Sequence, residues 1–241
     1  MPTVETTDRG TANAAPATGT RAEDADIEIA TRLAGAKDHP VVRTLGAMTK
    51  VGDQPPLFAL CSAVVAYGLV AGDRRATLAG ARMLGSFLVA TWIKGGLKRL
   101  VSRTRPNVLL DEGHYEVRPL GPDEGPWHSF PSGHTAGSVA VARAVARAYP
   151  EARAPAYGAA AFVALLQIPR GAHYPSDVAA GVLIGLGAEA AVEKLAGHWL
   201  TEGDGLGERR HGELSPGRLP AVSAAGRRGG SAARAGRCPP R

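Results

Sequence analysis

Cysteine, aromatic residues and long uninterrupted apolar runs are all scarce in this chain of 241 residues. The two cysteines, Cys61 in an apolar stretch and Cys238 near the C-terminus, give neither a disulfide framework nor a zinc-site spacing. Aromatics make up 5% of the chain while 31 residues are glycine and alanine is abundant. Helices are therefore expected to approach one another through small side chains. No basic region followed by an apolar core stands at the N-terminus, so no cleavable secretion signal is read there. Strand-like alternation and internal repeats are missing as well. None of the apolar stretches reaches the about 20 residues of a full membrane span.

Mean hydropathy is near zero, but it averages unlike regions. Residues 1–26 are rich in Thr, Ala and acids, and residues 201–241 in Gly, Pro and Arg. Both are expected to be disordered tails, because they have too little bulky apolar surface to form a core. The net charge of +6 comes largely from the second tail. That tail reads as a solvated extension, with adhesion to anionic lipid headgroups as the sharper alternative; no nucleic-acid partner is inferred. Between the tails, five apolar segments read as helices: 57–71, 78–93, 135–149, 156–168 and 178–195. Arg82, Arg143 and Arg147 fall within them, and are expected to face the bundle interior or to snorkel from helix ends. Residues 27–50 alternate apolar and charged side chains around Pro40, which suits an amphipathic, interfacial helix pair. Residues 107–130 read as a long connecting loop.

Three short words sit where apolar stretches meet polar loops: Lys98-x6-Arg105-Pro106, Pro131-Ser132-Gly133-His134 and Arg170-x2-His173-x3-Asp177. They gather phosphate-binding cations, two histidines and a carboxylate, the inventory for phosphoryl transfer through a histidine nucleophile. A fixed four-residue word such as PSGH arises by chance in roughly one chain in several hundred, and here it lies between two further words in order. The set resembles the type 2 phosphatidic acid phosphatase superfamily, which includes the vanadium haloperoxidases and glucose-6-phosphatase-like enzymes. Its words read KxxxxxxRP, PSGH and SRxxxxxHxxxD, and the likeness runs from about residue 44 to 199.

In that light His173 is the candidate nucleophile, with Asp177 four residues on as the acceptor that fixes its tautomer. His134 is the candidate general acid and base. Lys98 and Arg105, seven apart, fall on one face if the helix continues to Pro106, and would neutralise phosphate oxygens. Ser132 and Gly133 open a helix whose free N–H groups favour a phosphate. The neighbouring Lys94, Arg99 and Arg103 read as an interfacial basic patch. The third word departs from the family. Gln167 and Leu166 stand where the family has arginine and serine, and Arg170 lies one helical turn later. Arg170 is the favoured replacement for the displaced cation, with Gln167 as a neutral helper. His114, His128, Asp111, Glu112, Asp123 and Glu124 fit no zinc or calcium spacing, so neither metal nor cofactor is expected.

The resemblance implies an all-α helical transmembrane bundle of about five membrane helices plus the amphipathic N-terminal segment, with a phosphatase domain over residues 27–200. It implies hydrolysis of a lipid phosphate monoester or pyrophosphate through a phosphohistidine, in a bacterial inner membrane. Phosphatidate, phosphatidylglycerol phosphate and polyprenyl (pyro)phosphate remain open as substrates. Arg74, Arg75 and residues 147–153 lie at the end opposite the three words, so the positive-inside tendency puts the site on the periplasmic face. A non-catalytic lipid-phosphate binder or transporter and a haloperoxidase-like enzyme are the alternatives.

Overall fold

The structure is a computed structural model that describes residues 20–121 and 125–212. Eight α-helices and one short two-stranded antiparallel sheet follow in order: α1 (Arg21–Ala34), α2 (Pro40–Met48), α3 (Gln54–Ala71), α4 (Arg74–Leu100), β1 (Val101–Arg103), α5 (Pro106–Glu112), β2 (Val117–Pro119), α6 (Gly133–Ala148), α7 (Arg153–Leu166) and α8 (Pro175–Gly212). Local chemistry sets the boundaries. Thr20, Asp73 and Ser132 accept from the free N–H groups of Glu23, Ala76 and Thr135 and so start α1, α4 and α6. Gly72, at φ +66, ends α3 and turns the chain straight into α4.

The mostly helical reading stands, with corrections at its edges. Residues 21–26 are the first turns of α1 rather than tail, and α8 runs on to Gly212, past the expected start of the second tail at 201. Residues 1–19 and 213–241, Cys238 among them, lie outside the described residues. The stretch 107–130 is not a plain loop: it holds α5 and β2, and β2 pairs antiparallel with β1. Three-residue strands carry no alternation long enough to read from sequence. The chain divides into one unit up to Trp199 and a second from Leu200, which supplies the end of α8.

Within the first unit α6 is the axis. Its Val141 and Ala144 join Leu57 and Cys61 of α3 and Met83 and Phe87 of α4. Ala136 and Ala140 meet Ala90 of α4 and Ala188 of α8, while Val139 and Ala142 meet Ala160 of α7. Small residues permit this, as composition suggested. A Cβ placed on Gly185 of α8 would lie 2.7 Å from the Ala136 carbonyl oxygen, and one on Gly181 equally close to that of Ser132. The arginines inside the apolar segments are paired; Arg82 and Arg143 are half-buried, while Arg147 in the last turn of α6 is exposed. Arg143 reaches Glu189 of α8 at 2.5 Å, Arg147 reaches Glu189 at 2.9 Å, and Arg82 reaches Glu193 at 2.5 Å. Arg75 donates to the Ala148 carbonyl, so the α3–α4 and α6–α7 turns share one end of the bundle. α1 and α2 are the helix pair expected around Pro40; Ile27 and Ala30 of α1 pack on Leu109 and Tyr174.

We expect Gly185→Val to lower the thermal midpoint of the purified protein by the equivalent of about 1–3 kcal/mol, because backbone stands where the side chain must go. Gly187→Val, with nothing within 4 Å of a new Cβ, is the control. Equal midpoints for the two would contradict backbone-limited packing of α6 on α8.

Candidate active site

Five separate chain segments meet around a cavity of about 170 Å³ lined by Gly52, Asp53, Gln54, Lys94, Lys98, Arg105, Gly133, His134 and His173. Lys94 and Lys98 are one turn apart on α4, so both face the cavity. Although the helix stops at Leu100, short of Arg105, that residue still arrives on the same cavity. β1 carries the chain out, and Arg105 follows as the residue before α5. Lys98 donates to the His128 carbonyl at 2.6 Å. Arg105 is largely buried, and its Nε has no protein partner. Burial lowers its pKa from the ordinary arginine value; Arg170 adds to this and Asp177 opposes it.

The two histidines face each other with ring centroids 6.4 Å apart. His173, 3% exposed, sits in the turn between α7 and α8. Its Nδ1 is 2.6 Å from the Ser129 carbonyl oxygen. A carbonyl only accepts, so Nδ1 carries the proton and Nε2 keeps its lone pair. Burial lowers the His173 pKa, Asp177 pulls it back up, and Lys98 and Arg105 add to the lowering. His134 is the second residue of α6, and its Nε2 is 2.5 Å from the Asp53 carboxylate at the start of α3. That carboxylate likewise only accepts, which places a His134 proton on Nε2.

Asp177 does not hold His173 directly, as the spacing had implied: its Oδ2 is 3.8 Å from Nδ1. It is instead a fully buried hub. It accepts from Arg103 Nη1 at 3.0 Å, Ser129 Oγ at 2.5 Å and the Tyr174 N–H at 2.8 Å. Ser129 relays the constraint, hydroxyl to Asp177 and carbonyl to His173. Arg103 is not part of an exposed basic patch. It is 7% exposed, lies 3.8 Å over the Tyr174 ring, and donates to Ser176 and to Asp26 of α1. Burial works against the Arg103 charge, but Asp177, Tyr115 and Asp26 outweigh it and hold the pKa above the ordinary arginine value.

Three predicted phosphate contacts lie off the cavity. Ser132 is buried and caps α6 through the Thr135 N–H. Gln167 is fully buried; its side-chain amide donates to the Val163 carbonyl, and its backbone carbonyl accepts from the Ala172 and His173 N–H groups. Arg170 turns away to donate to Thr49 Oγ1 at 2.7 Å. The third cation on the cavity is Lys94, which had been assigned to the basic patch. Gly133 does line it, and a Cβ there would sit 2.9 Å from Lys94 Nζ. Of the loop residues weighed as metal ligands, His114 contacts Glu116 and Trp127, and Asp123 and Glu124 lie outside the described residues. Asp53 and Ser129 went unread, and Arg103 was read only as interfacial charge. The only sequence signal for Asp53 is its place before Gln54-Pro55-Pro56, where it reads as a helix cap.

We expect Arg103→Ala to destabilise the fold by about 3 kcal/mol, because it leaves two buried carboxylates without their counter-charge. Unfolding in detergent measures this, and an unchanged midpoint would contradict the hub.

Residues 79–196 match the sequence profile of the PAP2 superfamily. Over 107 residues the chain is 34% identical to lipid A 1-phosphatases of Rhizobium etli and Rhizobium johnstonii. The matched part covers 42% of this chain and 46% and 43% of those proteins, so the chain spans less than half the length of the curated relatives it matches. In fold it is similar to the crystal structure of Aquifex aeolicus LpxE. There the TM-score is 0.55 at 23% identity, covering 70% of this chain and 94% of that one. It is also similar to the transmembrane PAP2 type phosphatidylglycerolphosphate phosphatase from Bacillus subtilis, with TM-score 0.55 at 21% identity, covering 75% and 89%.

Proposed function

We propose that the chain is a PAP2 superfamily phosphatase, bound to a membrane and acting on a lipid phosphate monoester or pyrophosphate, a reading supported by the match of residues 79–196 to that superfamily. The observation that carries this reading is the convergence of Lys94, Lys98, Arg105, His134 and His173 on one cavity. Three cations against the single carboxylate of Asp53 suit a phosphate dianion, and the buried, unpartnered Nε of Arg105 suits one of its oxygens.

The lone pair of His173 Nε2 attacks phosphorus as the bond to the ester oxygen breaks. His134, doubly protonated beside the Asp53 carboxylate, gives one ring proton to the departing oxygen and is left neutral. His134 then takes a proton from water, the new P–O bond forms, and the P–N bond breaks to restore His173. Asp53 orients His134 and keeps its proton in place between steps. Asp177 acts through Ser129 to hold His173, so it is a positioning residue.

Two features support a lipid substrate. α3 and α4 are long and apolar enough to cross a bilayer, and they turn large apolar side chains outward: Val70 is 91% and Trp92 80% exposed. An apolar cleft of about 310 Å³ runs between α3, α6 and α7, with Val51, Leu57, Val141 and Val163 in its walls. It adjoins the catalytic cavity at Gly52, where an added Cβ would strike Val163 and Ser138. An acyl or prenyl chain fits there while its phosphate lies on the cations. On this reading α3, α4, α6, α7 and α8 cross a bacterial inner membrane and α1 and α2 lie at its surface. The Arg74, Arg75 and Arg153 end is cytoplasmic and the catalytic cavity periplasmic.

We expect His173→Ala to abolish phosphate release, and acid quenching with a labelled lipid phosphate to trap a phosphohistidine in the wild type alone. Normal turnover by that variant would sink the mechanism. Because burial lowers the His173 pKa, the ring stays neutral and nucleophilic into acid. The acidic limb of kcat/KM is thus expected below the ordinary imidazole value of about 6.5. A limb above that value would contradict the assignment.

We further expect Lys94→Ala to lower kcat for a simple phosphate monoester by about 10²–10³, and Arg170→Ala to cost less than about tenfold. The reverse order would return the third cation to Arg170.

A further inference from the structure

Arg170 leaves the catalytic cavity for a second one. A cleft of about 280 Å³ is lined by Lys37, Arg43, Lys50 and Arg170, together with apolar and glycine positions of α2. Lys37 is neutralised by Asp111. Arg43, Lys50 and Arg170 have no carboxylate within ion-pairing distance among the described residues. Arg170 is held rather than floating. It crosses Gly46, where an added Cβ would come within 2.8 Å of its Cδ, and anchors Nη1 on buried Thr49 and on Gln167. This fixes the guanidinium with Nε and Nη2 available to an anion. Three like charges converging on a concave surface repel one another unless an anion lies between them.

Both cavities draw lining residues from the 3-10 turn Thr49–Gly52 and the residue after it. Lys50 stands on the basic cleft, while Gly52 and Asp53 stand on the catalytic one. Three residues of 3-10 helix rise about 6 Å, so lining residues of the two cavities neighbour one another along the chain. We propose that Arg43, Lys50 and Arg170 form a second phosphate-binding site, which holds a phosphate group other than the one hydrolysed. That group belongs either to the same substrate molecule or to a neighbouring anionic lipid. The substrate class deepens accordingly, from any lipid phosphate towards one that carries two phosphates or is met in an anionic lipid surface. The proposal rests on the phosphatase reading for the identity of the substrate, but binding itself is testable without turnover.

The test uses the full chain in neutral detergent with His173→Ala, so that ligands are not consumed. Calorimetry measures the affinity of dioctanoyl phosphatidate, which has one phosphate, and dioctanoyl phosphatidylglycerol phosphate, which has two. The measurement is repeated with Arg43→Gln and Lys50→Gln added, two exposed positions where a folding defect is not expected. If the second phosphate comes from the substrate, the two-phosphate lipid binds roughly tenfold or more tightly than phosphatidate, and the double substitution removes that advantage. If it comes from a neighbour, both ligands bind more tightly when phosphatidylglycerol is mixed into the micelle, and the double substitution removes the gain. Equal affinities unaffected by phosphatidylglycerol would overturn the proposal, as would a loss shared equally by both ligands in neutral micelles. Failure of the phosphatase reading appears separately, as absence of phosphate release from either lipid by the unmodified chain.

Discussion

The buried ion pair of Arg103 with Asp177 holds the candidate site together. Neither charge gains much by leaving water, and replacing such pairs with apolar side chains is often neutral or stabilising. Its importance lies in what it connects. Arg103 ends β1, Asp177 belongs to the first turn of α8, and Asp26 brings α1 to the other side of the same guanidinium. Ser129, immediately before the Phe130-Pro131 step, donates to Asp177 and offers its carbonyl to His173. One guanidinium and one carboxylate thus set the tautomer and ring direction of the candidate nucleophile without touching phosphate.

The bundle around them separates its polar work into two layers. At one end, α4, α6 and the α7–α8 turn deliver cations and histidines. Towards the other, Arg82, Arg143 and Arg147 meet Glu189 and Glu193. Between the layers α6 is lined with alanine and glycine, so neighbouring helices close to backbone contact and the polar ends stay in register. Large apolar side chains are left to the outer faces of α3, α4, α7 and α8, the inverse of a water-soluble core.

Much of this was legible in the sequence, for definite reasons. The serine before Gly133 is a local signal and opens α6 where it was expected, whereas the proline after Arg105 starts α5 instead of ending α4, which stops at Leu100. Lys98, Arg105, His134 and His173 came from the words, and all four reach the cavity. The contacts that orient them did not. Ser129 acts through its backbone carbonyl, which is the same in every residue type. Arg103 and Lys94 lay in a run of cations whose members look alike until some are buried. Arg170 shows the limit of spacing arguments: sequence distance gives a side chain its reach, but the turn through Gly171, at φ +68, decides which way it points. β1 and β2 were too short to show a period.

The residues that complete the site do not all lie in its recognisable part. The stretch that matches the superfamily opens at residue 79, yet Asp26, Thr49, Gly52 and Asp53 precede it. Without them Arg103 loses one of its two carboxylates, Arg170 loses its anchor, and His134 loses the group that holds its proton. The profile therefore marks the minimum needed for kinship, not a unit able to stand alone. Any shortened version or chimera of this protein that respects the profile's borders would cut between the histidine and its carboxylate.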